Sequence, residues 1–590
     1  MANRYHLPAN LLAFLLALLS GTWARAQAPV AAPSWTQAIA VTQSASSANS
    51  SNVAATASDA NGNIYVAGTF RGTVSIGAFT VTSIGSENAF VAKWDPVSSN
   101  FIWVETAAAT SSVSSLAVSG TSVYVAGYFY GGTATFGSTA LTNADPNANT
   151  ITSSDVFVAK LTDAGATAGF VWAQRAGGVG NDYLGGLTSS GSNVYLTGSF
   201  EGPTSTFGGT TLTKTAPATN NSTDAFVAKL TDAGSTSSFS WAQSFGGQGN
   251  DYCRAIGVNG PNVYITGGFN SSVATFGSIS LTNNTFNYST YVTKLVDAGS
   301  SASVTWAQRV SDGAGDYMSS LVVTGSSIYL AGGFSGPTTQ IGSTLLTNVG
   351  SAFRFDVFVA KCTDTGVAGQ FEWALRGGGN NSDEIVKLAV TGADLYVVGN
   401  FTSATIDFGP LTLANNANNG FPDLFVVKIS GAGPSPVFVW AQQAGGPQND
   451  QAQTATLSGS TLYVAGFVYT PAYFGSLSFV FPANNAVPFL AALAESSPLA
   501  STAATPLAGL LLAPNPAHTA AMVYVPPVPG ARQATLTLLD ALGRVVRVQP
   551  LALLATGTNA TLPVAGLAPG LYRLQVAVSG QRISRVLAVE

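Results

Sequence analysis

The chain has 590 residues, enough for more than one domain, and its composition is 46% apolar but only 8% charged. The formal charge is −5, and residues 27–493 contain 14 lysine and arginine against 24 aspartate and glutamate residues. This acidic balance, without a basic patch to neutralise phosphates, argues against nucleic-acid binding.

The N-terminus has the features of a secretory signal peptide. Arg4 and His6 precede an apolar run at residues 11–19, and an A-x-A cleavage pattern ends at Ala26. The run is too short to span a bilayer comfortably. We therefore predict that residues 1–26 are removed on export, and that the mature chain has no transmembrane segment.

Three sequence signatures then recur in a fixed order, and each occurs seven times. The first is a strand that ends in Trp, often as WAQ, at Trp35, Trp103, Trp172, Trp241, Trp306, Trp373 and Trp440. The second is of the YVAG type, at Tyr65, Tyr124, Tyr195, Tyr264, Tyr329, Tyr396 and Tyr463. The third is of the FVAK type, at Phe90, Phe157, Phe226, Tyr291, Phe358, Phe425 and Phe489. Successive tryptophans lie 65–69 residues apart, which indicates one repeated structural unit.

Each repeat contains four short strands separated by turns rich in Asp and Gly, and no helical period competes with this pattern. We therefore predict an all-β chain in which residues 27–493 form a seven-bladed β-propeller. A β-solenoid and separate sandwich domains fit the repeat length less well. The last repeat lacks its Trp strand, so we expect the segment near Trp35 to supply the missing strand of the last blade.

The YVAG-x-F, FVAK and WA-GG-ND elements resemble the SBBP-type β-propeller repeats of exported bacterial proteins. The resemblance covers residues 36–493. It implies the propeller fold, but the family has no agreed chemistry that could be carried over to this chain.

The composition changes after Leu493. Residues 494–510 are rich in small residues and proline, which predicts a linker. Residues 511–590 alternate apolar and polar positions between regular turns, which predicts a small Ig-like β-sandwich. This segment contains six basic and two acidic residues, the opposite balance to the repeats.

The C-terminal segment resembles the type A C-terminal sorting domain of the type IX secretion system of Bacteroidetes. The matching residues are Pro514, Asn515, Pro516, Asp540, Gly543, Arg544, Pro569, Gly570 and Tyr572. The resemblance implies export, passage through the type IX secretion machinery, removal of the domain, and surface attachment or release. Its final basic residues are Arg582 and Arg585, where the family often has lysine.

One polar element, of the form G-N-D, follows the Trp strand in several repeats. Its candidate cation ligands are Asp182, Asp251, Asp316, Asp383 and Asp450. Hard cations such as Ca²⁺ take carboxylate and carbonyl oxygens, so a ring of calcium sites is one interpretation. Asn and Asp are also ordinary turn formers, and we prefer the interpretation in which they only cap strand ends. No other cofactor is predicted.

The repeats offer little catalytic machinery. Histidine occurs only at His6 and His518, which excludes Ser-His-Asp and Cys-His catalysis in the repeat region. The acids that depart from the repeat pattern are Glu87, Glu105, Glu201, Glu372 and Glu384, and they form no recognisable pair for glycoside hydrolysis. We therefore expect a monomeric, non-catalytic surface or secreted scaffold that binds a glycan or a protein. The alternative is a secreted polysaccharide-active enzyme.

Lys160 raises the question of a catalytic amine, because it ends an apolar strand. Six of the eight lysines share its repeat position, and the seventh repeat has Ala492 there. We therefore interpret Lys160 as a structural residue whose stem packs between blades, and expect K160A to change stability modestly. Cys253 and Cys362 lie at non-equivalent places and are interpreted as two buried thiols, with a disulfide as the alternative.

Overall fold

The computed structural model describes seventeen segments of the chain. They are residues 31–42, 49–148, 153–216, 222–284, 287–311, 313, 315–351, 353–392, 394–417, 420–431, 435–480, 486–495, 510–528, 531–540, 544–554, 556–578 and 581–590. The described segments contain strands and turns without helices, so the all-β prediction is confirmed. The chain divides into two compact bodies, Met1–Glu495 and Ser496–Glu590. The predicted signal peptide and residues 496–509 of the predicted linker lie outside the described segments.

In the N-terminal body, antiparallel pairing follows the sequence repeat, and we number the repeats as units 1 to 7. The first strands are Ser50–Ser58, Asn100–Ser119, Asp182–Ser190, Asp251–Asn259, Tyr317–Thr324, Asp383–Thr391 and Gln451–Ser458. The second strands are Ile64–Arg71, Ser122–Phe136, Asn193–Phe200, Asn262–Phe269, Ser327–Phe334, Asp394–Phe401 and Thr461–Tyr469. The third strands are Asn88–Asp95, Ser154–Asp163, Asp224–Asp232, Ser289–Asp297, Asp356–Asp364, Asp423–Ser430 and Ala486–Ala494.

The fourth strands carry the signature tryptophans. Those of units 2 to 6 are Ala168–Gly178, Ser237–Phe245, Ala302–Arg309, Gly369–Gly379 and Val437–Ala444. The long strand Asn100–Ser119 serves both as the fourth strand of unit 1 and as the first strand of unit 2. In unit 7 the fourth position is taken by Trp35–Ala40, which pairs antiparallel with Ala486–Ala494. The two ends of the repeat region therefore share one sheet.

A short hairpin lies between the second and third strands of each unit. Its strands are Thr73–Ile76 with Phe79–Thr82, the end of Ser122–Phe136 with Thr139–Thr142, Thr204–Phe207 with Thr210–Thr213, Val273–Phe276 with Ile279–Thr282, Thr338–Ile341 with Thr344–Thr347, Thr405–Phe408 with Leu411–Ala414, and Ala472–Phe474 with Leu477–Phe479. A glycine follows the Phe or Ile that ends the first strand of the hairpin in all seven units. At Gly137, φ is 57°, a left-handed conformation that favours glycine.

Neighbouring units pack through both faces of their second and third strands, which explains why these strands read as continuous apolar runs. Phe157 and Ala159 of unit 2 belong to the core shared with unit 1, whereas Val156 and Val158 belong to the core shared with unit 3. Units 7 and 1 also share a core, in which Leu490 packs with residues of unit 1. A hydrogen bond of 3.1 Å between the hydroxyls of Thr56 and Thr454 joins their first strands.

We call the end of a unit at which its first and third strands begin the upper end, and the opposite end the lower end. The second strand is antiparallel to both neighbours, so the first and third strands run in the same direction. The G-N-D aspartates therefore lie at the upper end, and the FVAK lysines lie towards the lower end.

The C-terminal body contains two antiparallel sheets. One consists of Leu511–Ala513, Ala520–Val525 and Thr558–Pro563, and the other consists of Val545–Ala552, Gln533–Leu539, Gly570–Val578 and Gln581–Val589. Alternate residues of both sheets, including Val523, Leu562, Leu536 and Val576, form one apolar core. This arrangement follows from the period-2 alternation of the sequence, because successive side chains of a strand point to opposite faces.

Candidate functional site

Lys160 is held in a buried ion pair that crosses from one unit to the next. Its Nζ lies 2.6 Å from Oδ2 of Asp232 and also donates to the carbonyl of Gly234 at 3.1 Å. Lys160 and Asp232 are 5% and 9% exposed. Both of these hydrogen bonds go to the protein, and the lysine is buried, which fits a structural role.

Asp232 accepts hydrogen bonds from one residue of each of the three repeat signatures of the preceding unit. Tyr124, Lys160 and Trp172 lie side by side on three neighbouring strands. The Tyr124 hydroxyl donates to Asp232 at 2.7 Å, and the Trp172 indole donates at 3.1 Å. The acceptor residue belongs to the T-D-A-G turn of unit 3, where Asp232 also accepts the backbone N–H of Gly234. From the sequence, Asp232 is interpreted only as a turn residue. Its second role, as the acceptor for side chains of the preceding unit, depends on which unit packs against the turn.

This arrangement, which we call the lower junction, recurs with interruptions. Equivalent lysine–acid pairs are Lys93–Asp163, Lys229–Asp297, Lys294–Asp364 and Lys428–Glu495. Unit 6 has Gly431 where the acid is expected, so Lys361 pairs with Glu372 of its own unit and the indole N–H of Trp373 has no described partner. At the junction of units 7 and 1, Ala492 replaces the lysine and Pro96 the acid.

The lower-junction aspartates remain charged despite their burial. Burial alone would raise the pKa of Asp364, but hydrogen bonds from Lys294, Tyr264 and Trp306 outweigh it and lower the pKa to about 2. The pKa values of Asp163, Asp232 and Asp297 are lowered by the same balance of burial and hydrogen bonds. The negative charge of each such carboxylate is balanced by a lysine ammonium group within hydrogen-bonding distance.

The five aspartates considered as cation ligands are all buried at the upper ends. Four of them face a second buried aspartate, at the start of the third strand of the preceding unit. The four pairs are Asp155 with Asp182, Asp224 with Asp251, Asp356 with Asp383, and Asp423 with Asp450. In the unit before Asp316, Ser289 occupies the position of this second aspartate. Sequence analysis missed the partner aspartates, although each stands two residues before the Phe of its FVAK signature.

We call these upper-end pairs the upper junctions. The pKa values of their aspartates are raised, whereas those of the lower-junction aspartates are lowered. Burial raises the pKa values of Asp383 and Asp450 to about 7, and the negative charges of Asp356 and Asp423 add to the effect. The pKa of Asp251 is raised to about 6, mainly by burial. Backbone N–H groups, such as that of Gly446 to Asp450, satisfy some carboxylate oxygens, so the residues do cap strand ends.

A cavity of about 900 Å³ lies between the units and is lined by the first strands of all seven. The residues of its walls differ between groups of units. The residue after the upper-end aspartate is Tyr183, Tyr252, Tyr317 and Glu384 in units 3 to 6, and the lining residues of unit 7 include Gln453. Side chains at this end are therefore aromatic on one side of the cavity and polar on the other.

Two of the cavity tyrosines lie directly against glycine residues, which have no side chain to keep the rings away. Tyr252 and Tyr317 lie against Gly268 and Gly333 of the neighbouring second strands, and a Cβ atom on either glycine would lie 2.7 Å or less from the ring or its hydroxyl. Tyr183 packs edge-on against Tyr128, with ring centroids 5.2 Å apart, and stays 37% exposed. Exposed ring faces of this kind are suited to stacking on a sugar or another flat ligand.

Two cations and one acid share the cavity with these rings. Arg254 and Lys387 form no ion pair with a described residue, and Glu384 accepts a hydrogen bond from Asn400 at 2.8 Å. Lys387 is exposed to the cavity, and partial desolvation there lowers its pKa. Burial, and then the charge of Glu384, raise the pKa of Tyr317, while Arg254 opposes the rise, so these groups face one space. An alignment of the seven repeats would have shown that Arg254, Lys387 and Glu384 differ from the residues at the equivalent positions of the other units.

The other candidate acids do not converge on the cavity. Glu87 accepts a hydrogen bond from Thr69, Glu201 accepts from Asn181, and Glu372 pairs with Lys361. Desolvation raises the pKa of Glu105. Among the described cavity-lining residues, Glu384 is the single carboxylate.

The two cysteines are free thiols buried in different cores. Cys253 lies 2.8 Å from the Tyr291 hydroxyl, and Cys362 packs in the core shared by units 4 and 5. Burial raises the pKa of Cys253 to about 11 and that of Cys362 to about 12, which keeps both thiols protonated.

The sorting-motif residues have identifiable structural roles in the C-terminal body. Asn515 clamps the final strand, because its amide donates to the Val586 carbonyl and accepts from the Ala588 N–H, both at 2.8 Å. Pro514 and Pro516 flank it in cis peptide bonds. Asp540 accepts from the Arg544 backbone at 2.9 Å and from its guanidinium at 2.8 Å, which closes a turn. Gly543 lies outside the described residues.

The P-G-L-Y element begins the third strand of the larger sheet. Tyr572 donates its hydroxyl hydrogen to the carbonyl of Ala568 at 2.8 Å, which fixes the turn before the strand. Pro569 precedes Gly570, the first residue of that strand. Each described element of the motif therefore holds a turn or the last strand of the body in place.

The family comparison identifies the C-terminal body. Residues 512–590 match the model of the secretion system C-terminal sorting domain. This domain marks proteins that the type IX secretion system exports and that are anchored at the cell surface or released. The protein is therefore secreted or located at the outer cell surface, and its C-terminal domain interacts with the type IX secretion machinery. No curated protein sequence matches the chain.

Solved structures similar to the chain share little sequence with it. A Trypanosoma rangeli sialidase in complex with sialic acid matches at 10% identity and a TM-score of 0.29, covering 91% of this chain and 83% of the other. A glycoside hydrolase family 32 protein from Bifidobacterium adolescentis matches at 9% identity and a TM-score of 0.25, covering 79% and 80%. Dimeric latent PorU from Porphyromonas gingivalis matches at 11% identity and a TM-score of 0.13, covering 74% and 31%.

In the described part of the chain, no helix is long and apolar enough to cross a membrane.

Proposed function

We propose that the N-terminal body is a seven-bladed β-propeller of the SBBP-repeat type that binds a glycan at its central cavity without modifying it. Export would begin with cleavage of the signal peptide in a member of the Bacteroidetes, and the type IX sorting domain delivers the protein to the cell exterior. The observation that carries the binding proposal is the cavity wall, where Tyr183, Tyr252 and Tyr317 occupy the same position in three consecutive units.

The charges of the cavity favour a glycan that carries carboxylate groups. Arg254 and Lys387 supply two positive charges against the single negative charge of Glu384. This local excess opposes the net negative charge of the repeat region, where acids outnumber bases. Flat tyrosine faces stack on sugar rings, and an arginine fork recognises a carboxylate with two hydrogen bonds. A uronate-containing polysaccharide combines both features.

Binding is favoured over catalysis by the acid content of the cavity. Glycoside hydrolysis ordinarily uses two carboxyl groups about 5–9.5 Å apart. Glu384 has no second carboxylate among the described residues that line the cavity, and it is engaged by Asn400. Glu384 is nevertheless the residue on which the alternative, a secreted polysaccharide-active enzyme, would depend.

Calorimetric titration of the mature protein with a uronate-containing oligosaccharide and with its neutral counterpart tests the proposal. We expect the acidic oligosaccharide to bind, and we expect Y183A and R254Q each to weaken binding at least about tenfold, corresponding to 1.4 kcal/mol. Tyr473, which is 47% exposed in the hairpin of unit 7, provides a matched control, and Y473A should bind like the wild type.

The same samples distinguish the alternative. Release of new reducing or unsaturated ends, abolished by E384Q, would show an enzyme and overturn the non-catalytic proposal. Equal binding by Y183A, R254Q and the wild type would place the ligand elsewhere on the protein. Binding of both oligosaccharides with equal affinity would contradict the charge argument.

A further inference from the structure

The paired aspartates of the upper junctions are not explained by strand capping. Asp224, Asp356 and Asp423 are fully buried, and each uses only one carboxylate oxygen, Oδ2, to accept a loop N–H. The other oxygen, Oδ1, is buried without a hydrogen-bond partner in all three residues and in Asp155. A buried carboxylate oxygen that is left unpaired costs free energy, so its repetition at four equivalent places calls for an occupant.

The orphaned oxygen points towards the second aspartate. A Cβ atom on Gly246 would lie 2.6 Å from Oδ1 of Asp224 and 2.9 Å from Oδ2 of Asp251. Equivalent distances at Gly177 are 2.2 Å to Oδ1 of Asp155 and 3.0 Å to Oδ2 of Asp182. At these two junctions both carboxylates therefore lie close against the glycine, which has no side chain to hold them apart. At Gly445 the three nearest atoms all belong to Asp423, with Oδ1 at 2.2 Å from the Cβ position.

This glycine and the first aspartate of the pair are either both present or both replaced in units 2 to 6. All four junctions with an aspartate pair have glycine at this position, namely Gly177, Gly246, Gly378 and Gly445. In the junction where Ser289 replaces the aspartate, Ser311 replaces the glycine and shares a hydrogen bond of 2.7 Å with Thr290. The glycine, and the close approach of a carboxylate that it permits, therefore accompany the pair of carboxylates rather than the turn itself.

The four pairs differ in the positive charge that the protein supplies. Arg175 donates to Asp155 at 3.0 Å, and Arg376 donates to Asp356 at 2.7 Å. Asp224 has only the more distant charge of Lys214. At Asp423 and Asp450 no described cation contributes, because Gln443 occupies the arginine position. Two uncompensated buried carboxylates are strongly unfavourable unless a proton or a metal cation lies between them.

We propose that Asp423 and Asp450 bind a Ca²⁺ ion at the junction of units 6 and 7, and that Asp224 and Asp251 bind a second one. Oδ1 of Asp423 and Oδ1 of Asp224 are the oxygens without a hydrogen bond in the two pairs. The other three oxygens of each pair accept hydrogen bonds and would contribute a second lone pair, and backbone carbonyls or water would complete the coordination. Ca²⁺ fits better than Mg²⁺, which keeps several of its waters and is less suited to a buried site. No described cluster contains three acidic, histidine or cysteine side chains, so these would be two-carboxylate sites.

The competing occupant is a shared proton, and the two differ in their response to pH. Protons and Ca²⁺ compete for the same carboxylates, so the apparent affinity should weaken at least about tenfold between pH 8 and pH 5. The titratable groups that contribute at the junction of units 6 and 7 are Asp423 and Asp450 themselves. A proton-only pair would show no dependence of melting temperature on Ca²⁺ at either pH.

The test uses the mature protein, treated with a chelator and dialysed at pH 8. We expect Ca²⁺ to raise its melting temperature and metal analysis to find bound Ca²⁺ after gel filtration. D423N should hold one equivalent fewer, whereas D407N, which changes an exposed aspartate outside the junctions, should hold as much as the wild type. Because the chelation experiment uses the unmodified chain, it remains decisive if D423N fails to fold.

Two results would overturn the proposal. One is a wild-type protein that binds no Ca²⁺ at pH 8 and melts at the same temperature with and without it, which would leave a shared proton between the aspartates. The other is loss of the same amount of Ca²⁺ in D407N and D423N, which would indicate surface binding. Neither readout involves a glycan, so the outcome is independent of the function proposed for the cavity.

Discussion

The lower and upper junctions solve the same electrostatic problem in opposite ways. Both bury aspartates where neighbouring units meet, but the pKa of Asp364 is lowered to about 2 and that of Asp450 is raised to about 7. Burial is the largest influence on both residues. The difference lies in the partners, because Lys294 donates to Asp364, whereas Asp450 faces Asp423. A buried carboxylate is stable only where the protein or a bound ion supplies the opposite charge.

The comparison also explains which sequence features repeat most strictly. At the lower junction one aspartate receives a tyrosine, a lysine and a tryptophan, so the three repeat signatures converge on one acceptor. Where the acceptor is lost, as at Pro96, the lysine is lost from the facing unit as well, at Ala492. At Gly431, by contrast, the acceptor alone is lost and Lys361 pairs with Glu372 instead, so the junction changes as a group at one place and at a single residue at the other.

The largest expected effect comes from removing a lower-junction lysine. K160M keeps most of the apolar stem but leaves Asp232 buried and charged with only neutral donors. Breaking a buried ion pair by removing one partner typically costs about 3–5 kcal/mol. We therefore expect a loss of about 3 kcal/mol in the free energy of unfolding, measured by denaturant titration, which is larger than the modest effect expected from sequence alone.

Lys361 provides the matched control for this variant. Its partner Glu372 keeps 31% of its side chain exposed, so water can solvate the carboxylate when the lysine is removed. Pairs of this kind contribute about 1 kcal/mol or less. Equal losses in K160M and K361M would show that the lysine stem, rather than its charge, provides the stability.

The pH dependence of stability separates the two junctions in the unmodified protein. In chelator, Asp450 holds its proton up to about pH 7 in the folded state, whereas an unfolded aspartate releases it near pH 3.9. The folded state binds more protons in this window, so the free energy of unfolding falls as pH rises from about 4 to 7. Asp364, whose pKa is about 2, contributes stability above about pH 4 that is lost as pH falls towards 2.

We therefore expect the metal-free protein to melt at its highest temperature near pH 4–5, with a decline on each side. D450N removes one titrating group from the upper junction and should flatten the alkaline side alone. A melting temperature that rises steadily from pH 4 to pH 8 in chelator would contradict the raised pKa values of the upper aspartates.

The next effect concerns the space between the upper aspartates. G246A would place a methyl group 2.6 Å from Oδ1 of Asp224 and 2.9 Å from Oδ2 of Asp251, so the carboxylates must move apart. Overpacking of a well-packed site typically costs about 1–3 kcal/mol. We expect about 2 kcal/mol by thermal or denaturant unfolding, together with loss of the Ca²⁺ response of that junction.

Ser311 occupies the equivalent position where no aspartate pair exists, and it supplies the control. S311A removes one hydrogen bond to Thr290 and adds no atoms, so we expect a loss of about 1 kcal/mol. If G246A were as mild as S311A, the space above the glycine would not be needed for two carboxylates.

The sequence was sufficient to predict the all-β class and the sorting domain, because alternation, turn residues and the C-terminal motif are all local features. The count of repeats came from residues such as Trp172 and Lys160, whose positions recur. The roles of Asp232 and Asp423 were missed, since each acts on the adjacent unit and the chain pattern does not say which surfaces meet. Arg254 and Lys387 belong to no motif, so only the fold brings them to the cavity.

The smallest effect tests whether a missing lower-junction acceptor can be restored. Gly431 stands where units 2 to 5 have an aspartate, and across the junction the indole N–H of Trp373 has no described partner. G431D should provide an acceptor for Trp373 and Lys361 and raise the free energy of unfolding by about 1 kcal/mol, the usual net value of a hydrogen bond. Denaturant titration measures this gain.

A double-mutant cycle isolates the restored contact from other effects of the new carboxylate. W373F should cost about 1 kcal/mol more in the G431D background than in the wild type, because only there does the indole N–H have an acceptor. W172F, whose indole already donates to Asp232 at 3.1 Å, should show no such dependence on residue 431. Identical costs of W373F in both backgrounds would mean that the aspartate turns away from the junction, and that the geometry of the T-D-A-G turn, rather than the acid alone, creates the lower junction.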